Sequence, residues 1–159
     1  MLTCRLPGMA KNSPVRVVFD SGLRLPVNSR LVQTARETPV WALAGPRAPQ
    51  EAELKLQAHG VEVLRSPESA DRLDLGNGLR VLAAKGITRL MVEGGPTLAA
   101  AFIAADLVDE AILFHSAKIV GPDGIDALDQ ASLAKLTGRL KHRSSAPVGP
   151  DRADLYERR

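Results

Sequence analysis

The feature that most constrains this chain is an alternation of hydrophobic periods that recurs along its first two thirds. Four strand-length runs stand out: "VRVVFD" (15–20), "VWALAG" (40–45), "VEVLR" (61–65) and "TRLMVEG" (88–94). The first two are nearly continuous apolar runs, as expected of strands buried on both faces, and the third alternates. Helix-length stretches separate them. "SRLVQTA" (29–35) can be capped by Asn28 or Ser29. A second stretch runs from about Pro49 to His59 and stops at Gly60, which suits a left-handed position after a helix. A third covers 74–85 and stops at Gly86. Strands spaced by helices predict βαβ units, and so an α/β fold: three layers, with a mostly parallel central sheet flanked by helices.

The two ends of the chain depart from this rhythm. "EAILFHSAKIVG" (110–121) reads as a long strand leading into the turn "GPDG" (121–124). "GRLKHRSSAPVGPDRADLYER" offers two further strands around Pro147, Gly149 and Pro150, a hairpin signature that predicts antiparallel C-terminal strands. "MLTCRLPGMAKNSP" at the start reads as a loop entered in mid-fold, of the kind a strand and a helix usually precede.

Composition narrows the function classes. A chain of 159 residues predicts a single domain with one hydrophobic core. Aromatic residues make up only 3%, and Trp41 and Tyr156 are too few for the stacking platforms of single-strand binders. The net charge of +3, without a long basic run, suits anionic small molecules, and no nucleic-acid partner is expected. Cys4 is the one cysteine, so no internal disulfide can form. His59, His115 and His142 lack metal-ligand spacing, and no metal is expected. No signal peptide and no apolar run approaching ~20 residues is visible, which predicts a reducing cytoplasm and no membrane partner.

The chemistry concentrates at "VEGGPTLAAAFIAADL". In open α/β sheets ligands bind beyond the carboxyl ends of strands, where loops lead into helix N-termini. Gly94 and Gly95 allow a sharp turn and close backbone approach, and Pro96 fits the first helical position. Leu98, Ala101, Phe102 and Ala105 form one apolar helix face, so the first turn can offer free N–H groups and the positive dipole end to an anion. Glu93 would repel a phosphate and suits a hydroxyl, amide or amine donor. The residues alone leave two readings open: a plain strand–helix turn, or a ligand site.

"VEGGPTLAAAFIAADLVDE", together with "SPVRVVFDSGLRLPVNSRLVQTARETPVW" and "LTCRLPG", resembles the C-terminal reductase domain of the bifunctional riboflavin-biosynthesis deaminase/reductase. The resemblance covers essentially the whole chain. It implies a dihydrofolate-reductase-like fold and an NADPH-dependent reduction of the ribosyl group of 5-amino-6-(5-phosphoribosylamino)uracil to a ribityl group. It implies that Leu2, Arg5 and Glu93 contact substrate. It implies that Ser21 and the run Gly95, Pro96, Thr97, Leu98, Ala99, Ala100 and Ala101 contact the cofactor. It names no catalytic residue. The family tends to dimerise, which points to a homodimer through strands at 110–120 and 137–157.

Several tempting residues have plainer readings. Asp20, at the end of a buried strand, reads as a turn-fixing carboxylate before a general acid. Arg24 is a weak candidate for the 2′-phosphate of NADPH. His115 reads as a packed or edge histidine, and Lys118 as a solvated strand residue. The family domain begins well before "LTCR", so the chain is expected to correspond to its C-terminal two thirds or so. Two alternatives follow: a catalytically incomplete nucleotide-binding or dimerising fragment, and a related dihydrofolate-reductase-like reductase of another pyrimidine or pterin.

Overall fold

The computed structural model describes residues 2–69, 72–121 and 123–158. The chain divides into two compact units, Met1–Thr88 and Arg89–Arg159, each described here by itself. Buried apolar side chains gather into two clusters, one in each unit. Among the described residues no helix is long and apolar enough to cross a membrane.

The first unit is built on the expected parallel strands. β1 (Arg16–Phe19), β2 (Val40–Ala44) and β3 (Val61–Arg65) lie in the order β1-β2-β3, with Val18 beside Ala42 and Ala42 beside Val63. Successive side chains of a strand point to opposite faces, and β2 shows the consequence. Val40, Ala42 and Ala44 face a cluster that includes Val32 and Ala35 near α1 (Arg30–Gln33) and Leu56 of α2 (Gln50–Ala58). Leu43 and Phe19 instead face α3 (Leu75–Ala84), where Gly78 passes so closely that an added Cβ would lie 3.4 Å from each. Helices therefore cover both faces of this sheet, as the alternation predicts.

Local chemistry sets the helix ends. Ser29 Oγ accepts from Val32 N at 3.4 Å, and Asp74 Oδ1 accepts from Asn77 N at 2.9 Å, satisfying first-turn donors. Gly60 (φ 89°) and Gly86 (φ 91°) adopt the left-handed conformation expected of helix stops. Arg16, at the start of β1, is 2% exposed. Its guanidinium donates to Thr34 Oγ1 at 2.8 Å, to Thr34 O at 3.0 Å and to Thr38 O, tying β1 to the end of α1. A two-stranded hairpin, β4 (Glu68–Ser69) with β5 (Arg72–Leu73), has no counterpart in the sequence expectations.

The second unit departs most from expectation. Residues 88–94, expected as a strand, form none, and Met91 is 77% exposed. β-propensity reports how well a residue fits a pleated, half-buried surface, and cannot supply the neighbouring strand that such a surface needs. α4 (Pro96–Ala104) follows, then β6 (Glu110–His115), α5 (Gln130–Arg139), β7 (Leu140–Val148) and β8 (Asp151–Arg158). The strands form an antiparallel sheet in the order β6-β8-β7, as the hairpin signature predicts.

β6 ends at His115, short of the expected 121, and Ile119 and Val120 are exposed. Gly124 N donates to Gly121 O at 3.1 Å and closes the expected turn, with Gly121 at φ 91°; Pro122 lies outside the described residues. α5 has no counterpart in the sequence expectations. It supplies Leu136 to a cluster with Ile103 and Leu140, backed by Ala111, Leu113 and Tyr156.

Candidate functional site

The loops of the first unit that carry Ser21 and Gly45 lie at the carboxyl ends of its parallel strands. β1 is followed directly by Asp20, whose N–H donates to Leu43 O at 2.9 Å, while the carbonyl of Ser21 accepts from Gly45 N at 3.0 Å. These bonds fix Ser21, half-buried, beside the end of β2. Asp20 is 7% exposed and its carboxylate is occupied: Oδ2 accepts from Leu25 N at 2.8 Å, and Oδ1 lies 3.3 Å from Arg24 Nε. The turn-fixing reading of Asp20 is the one the geometry matches. Leu23 inside this turn takes φ 52°, which the Asp20 bonds help to impose.

The loop after β2 is held by charges that sequence reasoning missed. Arg65 Nη1 donates to Gly45 O at 2.7 Å and to Ala48 O at 3.1 Å, and its guanidinium pairs with Glu53. Glu68 Oε2 accepts from Arg47 at 2.8 and 3.1 Å. A Cβ at position 45 would lie 2.0 Å from Glu68 Oε1, so a larger residue there would displace that carboxylate from its present position. The available signal was a charged residue near the end of each strand, but sequence spacing does not show which charges meet. The Ser66 hydroxyl is buried without a hydrogen bond among the described residues.

Leu2 and Arg5 sit on the N-terminal segment, both exposed. That segment is pinned by Cys4 N donating to Ser13 Oγ at 3.1 Å, while Ser13 Oγ donates to Ala10 O at 2.7 Å. Arg5 takes part in none of the ion pairs among the described residues.

In the second unit Glu93 is exposed on the segment leading to α4, followed directly by the glycine pair. The reason for the glycines differs from the expectation of conformational freedom. Neither takes a positive φ; Gly95 has φ −57°. Gly94 is needed for space, because a Cβ there would lie 2.7 Å from Leu98 Cδ2 and 3.3 Å from Leu98 Cβ. Gly95 is the N-cap and faces open space, with nothing within 4 Å of an added Cβ.

Gly95 O accepts from Leu98 N at 3.1 Å and Ala99 N at 3.2 Å, and Pro96 has no N–H. The N–H groups of Gly95 and Thr97 are left at an exposed helix N-terminus, where the dipole favours an anion. The buried face of α4 is also corrected. Phe102 and Ile103 are buried, whereas Ala105 is exposed just past the helix. A helix apolar on nearly every side carries no periodic stripe by which to choose its inner face.

Leu2, Arg5 and Ser21 thus belong to the first unit, and Glu93 with Gly95 to Ala101 to the second. His115 is the last residue of β6, and its Nε2 lies 3.1 Å from Asp154 Oδ2. Lys118 is exposed, with its N–H donating to Ser116 Oγ at 3.2 Å.

Comparison with known proteins places this arrangement. Riboflavin biosynthesis protein RibD of Escherichia coli is 33% identical over 147 residues, covering 91% of this chain and 38% of that protein. The chain therefore spans well under half of the RibD relatives it matches. The 2,5-diamino-6-ribosylamino-4(3H)-pyrimidinone 5′-phosphate reductase of Methanothermobacter thermautotrophicus is 31% identical over 156 residues, with 92% and 67% covered.

Among solved structures, a pyrimidine reductase-like protein from Corynebacterium diphtheriae superposes with TM-score 0.76 at 20% identity, covering 99% of this chain and 69% of that one. A deaminase/reductase from Thermotoga maritima gives 0.69 at 23% identity, with 99% and 41% covered. These likenesses show the fold, an α/β arrangement of parallel and antiparallel strands flanked by helices. The sequence matches the RibD C-terminal domain family over residues 1–152, and the chain belongs to that family.

Proposed function

We propose that this chain carries the reductase chemistry of riboflavin biosynthesis: NADPH-dependent conversion of the ribosyl group of 5-amino-6-(5-phosphoribosylamino)uracil to a ribityl group. The observation that carries the reading is the segment from Glu93 to Ala101. An exposed carboxylate stands two residues before a helix N-terminus that has no side chain over it and two N–H groups to spare. Such an end suits the pyrophosphate of a dinucleotide, and Glu93 suits amine or hydroxyl donors of the substrate. Two matched relatives of known name, in Methanothermobacter thermautotrophicus and Archaeoglobus fulgidus, are pyrimidinone phosphate reductases.

In this reading Ser21 and the run Gly95 to Ala101 would hold NADPH, which would supply the hydride for the ribosyl group. The chain's residues bind and orient. Arg5, exposed and outside the ion pairs, forks onto the 5-phosphate of the substrate. Ser21, fixed beside the end of β2, contacts the cofactor. Hydride transfer depends on placing two ligands closely, so errors in either contact set lower turnover steeply.

The test separates binding from turnover. Nicotinamide fluorescence is followed while NADPH is added, and NADPH loss at 340 nm is followed after adding the aminouracil ribotide. Saturable binding is expected in the wild type. Gly95→Asp places a carboxylate against the pyrophosphate and is expected to abolish binding. The substitution meets no atom within 4 Å, and aspartate is a good N-cap, so the melting temperature should hold or rise. NADPH affinity unchanged in that variant would falsify the placement. Binding without turnover assigns the chain the alternative role, a nucleotide-binding fragment.

The protein works in this reading as a cytoplasmic homodimer joined through β6, β7 and β8. Support comes from the outward face of that sheet, where Ile112, Phe114 and Val148 are exposed. Light scattering on Phe114→Glu should report monomers where the wild type reports dimers.

A further inference from the structure

The β6-β8-β7 sheet carries a second polar constellation, apart from the residues assigned above. Asp154, at the middle of the central strand β8, is 5% exposed. Its Oδ2 lies 3.1 Å from His115 Nε2 on β6 and 3.0 Å from Arg152 Nη2 on its own strand. Its Oδ1 lies 4.0 Å from His142 Nε2 on β7, and His142 Nε2 is 2.9 Å from Ser145 Oγ. A carboxylate this enclosed is costly unless donors surround it. The nearby Ser145 hydroxyl is the largest influence holding the Asp154 carboxyl below its ordinary range, with burial opposing and Arg152 and His115 assisting, although Oδ1 itself has no hydrogen-bond partner among the described residues.

The grouping depends on an irregularity of the backbone. In a regular strand residues three apart point to opposite faces. A bulge between His142 and Ser144 shifts the register, so that His142 pairs with Tyr156 and Ser145 with Asp154, both on the same face. Bulges often re-aim side chains beside binding sites. Here the bulge brings a hydroxyl and an imidazole to one carboxylate.

In front of this constellation lies a cavity of about 510 Å³. His115, Ser145 and Arg152 line it, while Asp154 stands behind them; Ala146, Pro147 and Pro150 supply an apolar wall. Arg152 spends one of its five N–H donors on Asp154, and the remainder of its fork is unspent on that partner. A buried carboxylate that holds an imidazole and a guanidinium at the wall of a cavity fixes the orientation of both.

We propose that this cavity binds a small phosphorylated molecule, its phosphate taken by Arg152, His115 and Ser145 and its organic body resting on Ala146, Pro147 and Pro150. The fork of arginine matches phosphate oxygens in pairs, and the imidazole and hydroxyl supply the further contacts that a tetrahedral anion takes. Beside the donors, the apolar side chains of Ala146, Pro147 and Pro150 offer a surface to an organic group carried by the phosphate. Asp151, at the rim, disfavours ligands with further negative charge on that side. The inference stands on this geometry and not on the NADPH reading.

The test uses the full chain with 13C-labelled histidine. Ribose 5-phosphate, inorganic phosphate and unphosphorylated ribose are titrated at constant ionic strength while the His115 ring resonance is followed. Ribose 5-phosphate is expected to shift it saturably, phosphate more weakly and ribose not at all. Arg152→Gln should weaken the ribose 5-phosphate response at least tenfold. Arg152→Lys retains a charge for Asp154 but loses the fork, and should weaken it several-fold even if the glutamine variant folds poorly. Arg5→Gln, which alters only the substrate site proposed above, should leave the His115 response unchanged. No saturable shift, or equal affinity in wild type and Arg152→Lys, overturns the proposal; loss in Arg5→Gln overturns it too, by assigning the response to the other site.

Discussion

Arg16 and Asp154 show what a single residue decides here, and why neither role could be read in advance. Each is a charged side chain in a strand, and a sequence shows the charge but not the acceptors that fold around it. Arg16 holds Thr34 and the carbonyl of Thr38. Replacing it with methionine keeps much of the volume and strands those acceptors, so denaturant titration should show a loss of about 1–3 kcal/mol. A loss below a few tenths would mean that water reaches them. Asp154 has a depressed folded-state pKa. Its stabilising contribution is therefore fully present above the unfolded value of ~3.9 and is lost as pH falls through the lower folded value. Asp154→Asn should differ most from wild type at neutral pH, with the two unfolding curves converging below about pH 4. Asp20 was legible, because a carboxylate just past a buried strand has few uses other than closing the turn.

At the scale of elements, what could be read depended on whether a local signal settles the structure. Ser29, Gly60 and Gly86 mark helix ends through bonds and dihedral angles made within a few residues, and those elements stand where expected. The run 88–94 needed a neighbouring strand, about which its own composition says nothing. α4 was placed correctly and its inner face in part: Phe102 is buried as expected, whereas Ile103 joins it and Ala105 does not, since apolar residues on nearly every side erase the stripe. The contact between α3 and the sheet is the most exacting of these packings. Gly78 leaves 3.4 Å to Leu43 and Phe19, so Gly78→Leu should destabilise by roughly 1–3 kcal/mol through overpacking, measured by thermal melting. A melting temperature equal to wild type would mean that α3 can lift from the sheet without cost.

For the molecule as a whole, the α/β class and the alternation of β1 to β3 with their helices were legible, whereas α5, the short β4–β5 pair and the grouping of contacts into two units were not. Strand and helix patterns describe neighbours along the chain, and the two hydrophobic clusters become visible only once distant residues have met. The boundary falls between Thr88 and Arg89, in an exposed segment outside any strand or helix. Limited trypsin treatment should therefore cut first after Arg89, giving fragments that mass spectrometry assigns to the two units; an initial cut within the β7–β8 hairpin would contradict the division. That same segment has a consequence for how the protein behaves in a tube. Leu90, Met91 and Val92 form a short, β-prone apolar run without a strand partner among the described residues, and unpaired apolar runs favour association between chains. Arg89 and Glu93 flank it as charged gatekeepers. Glu93 variants that lose their charge should then be less soluble, and any activity measured on them needs to be normalised to monodisperse protein before a loss is ascribed to chemistry.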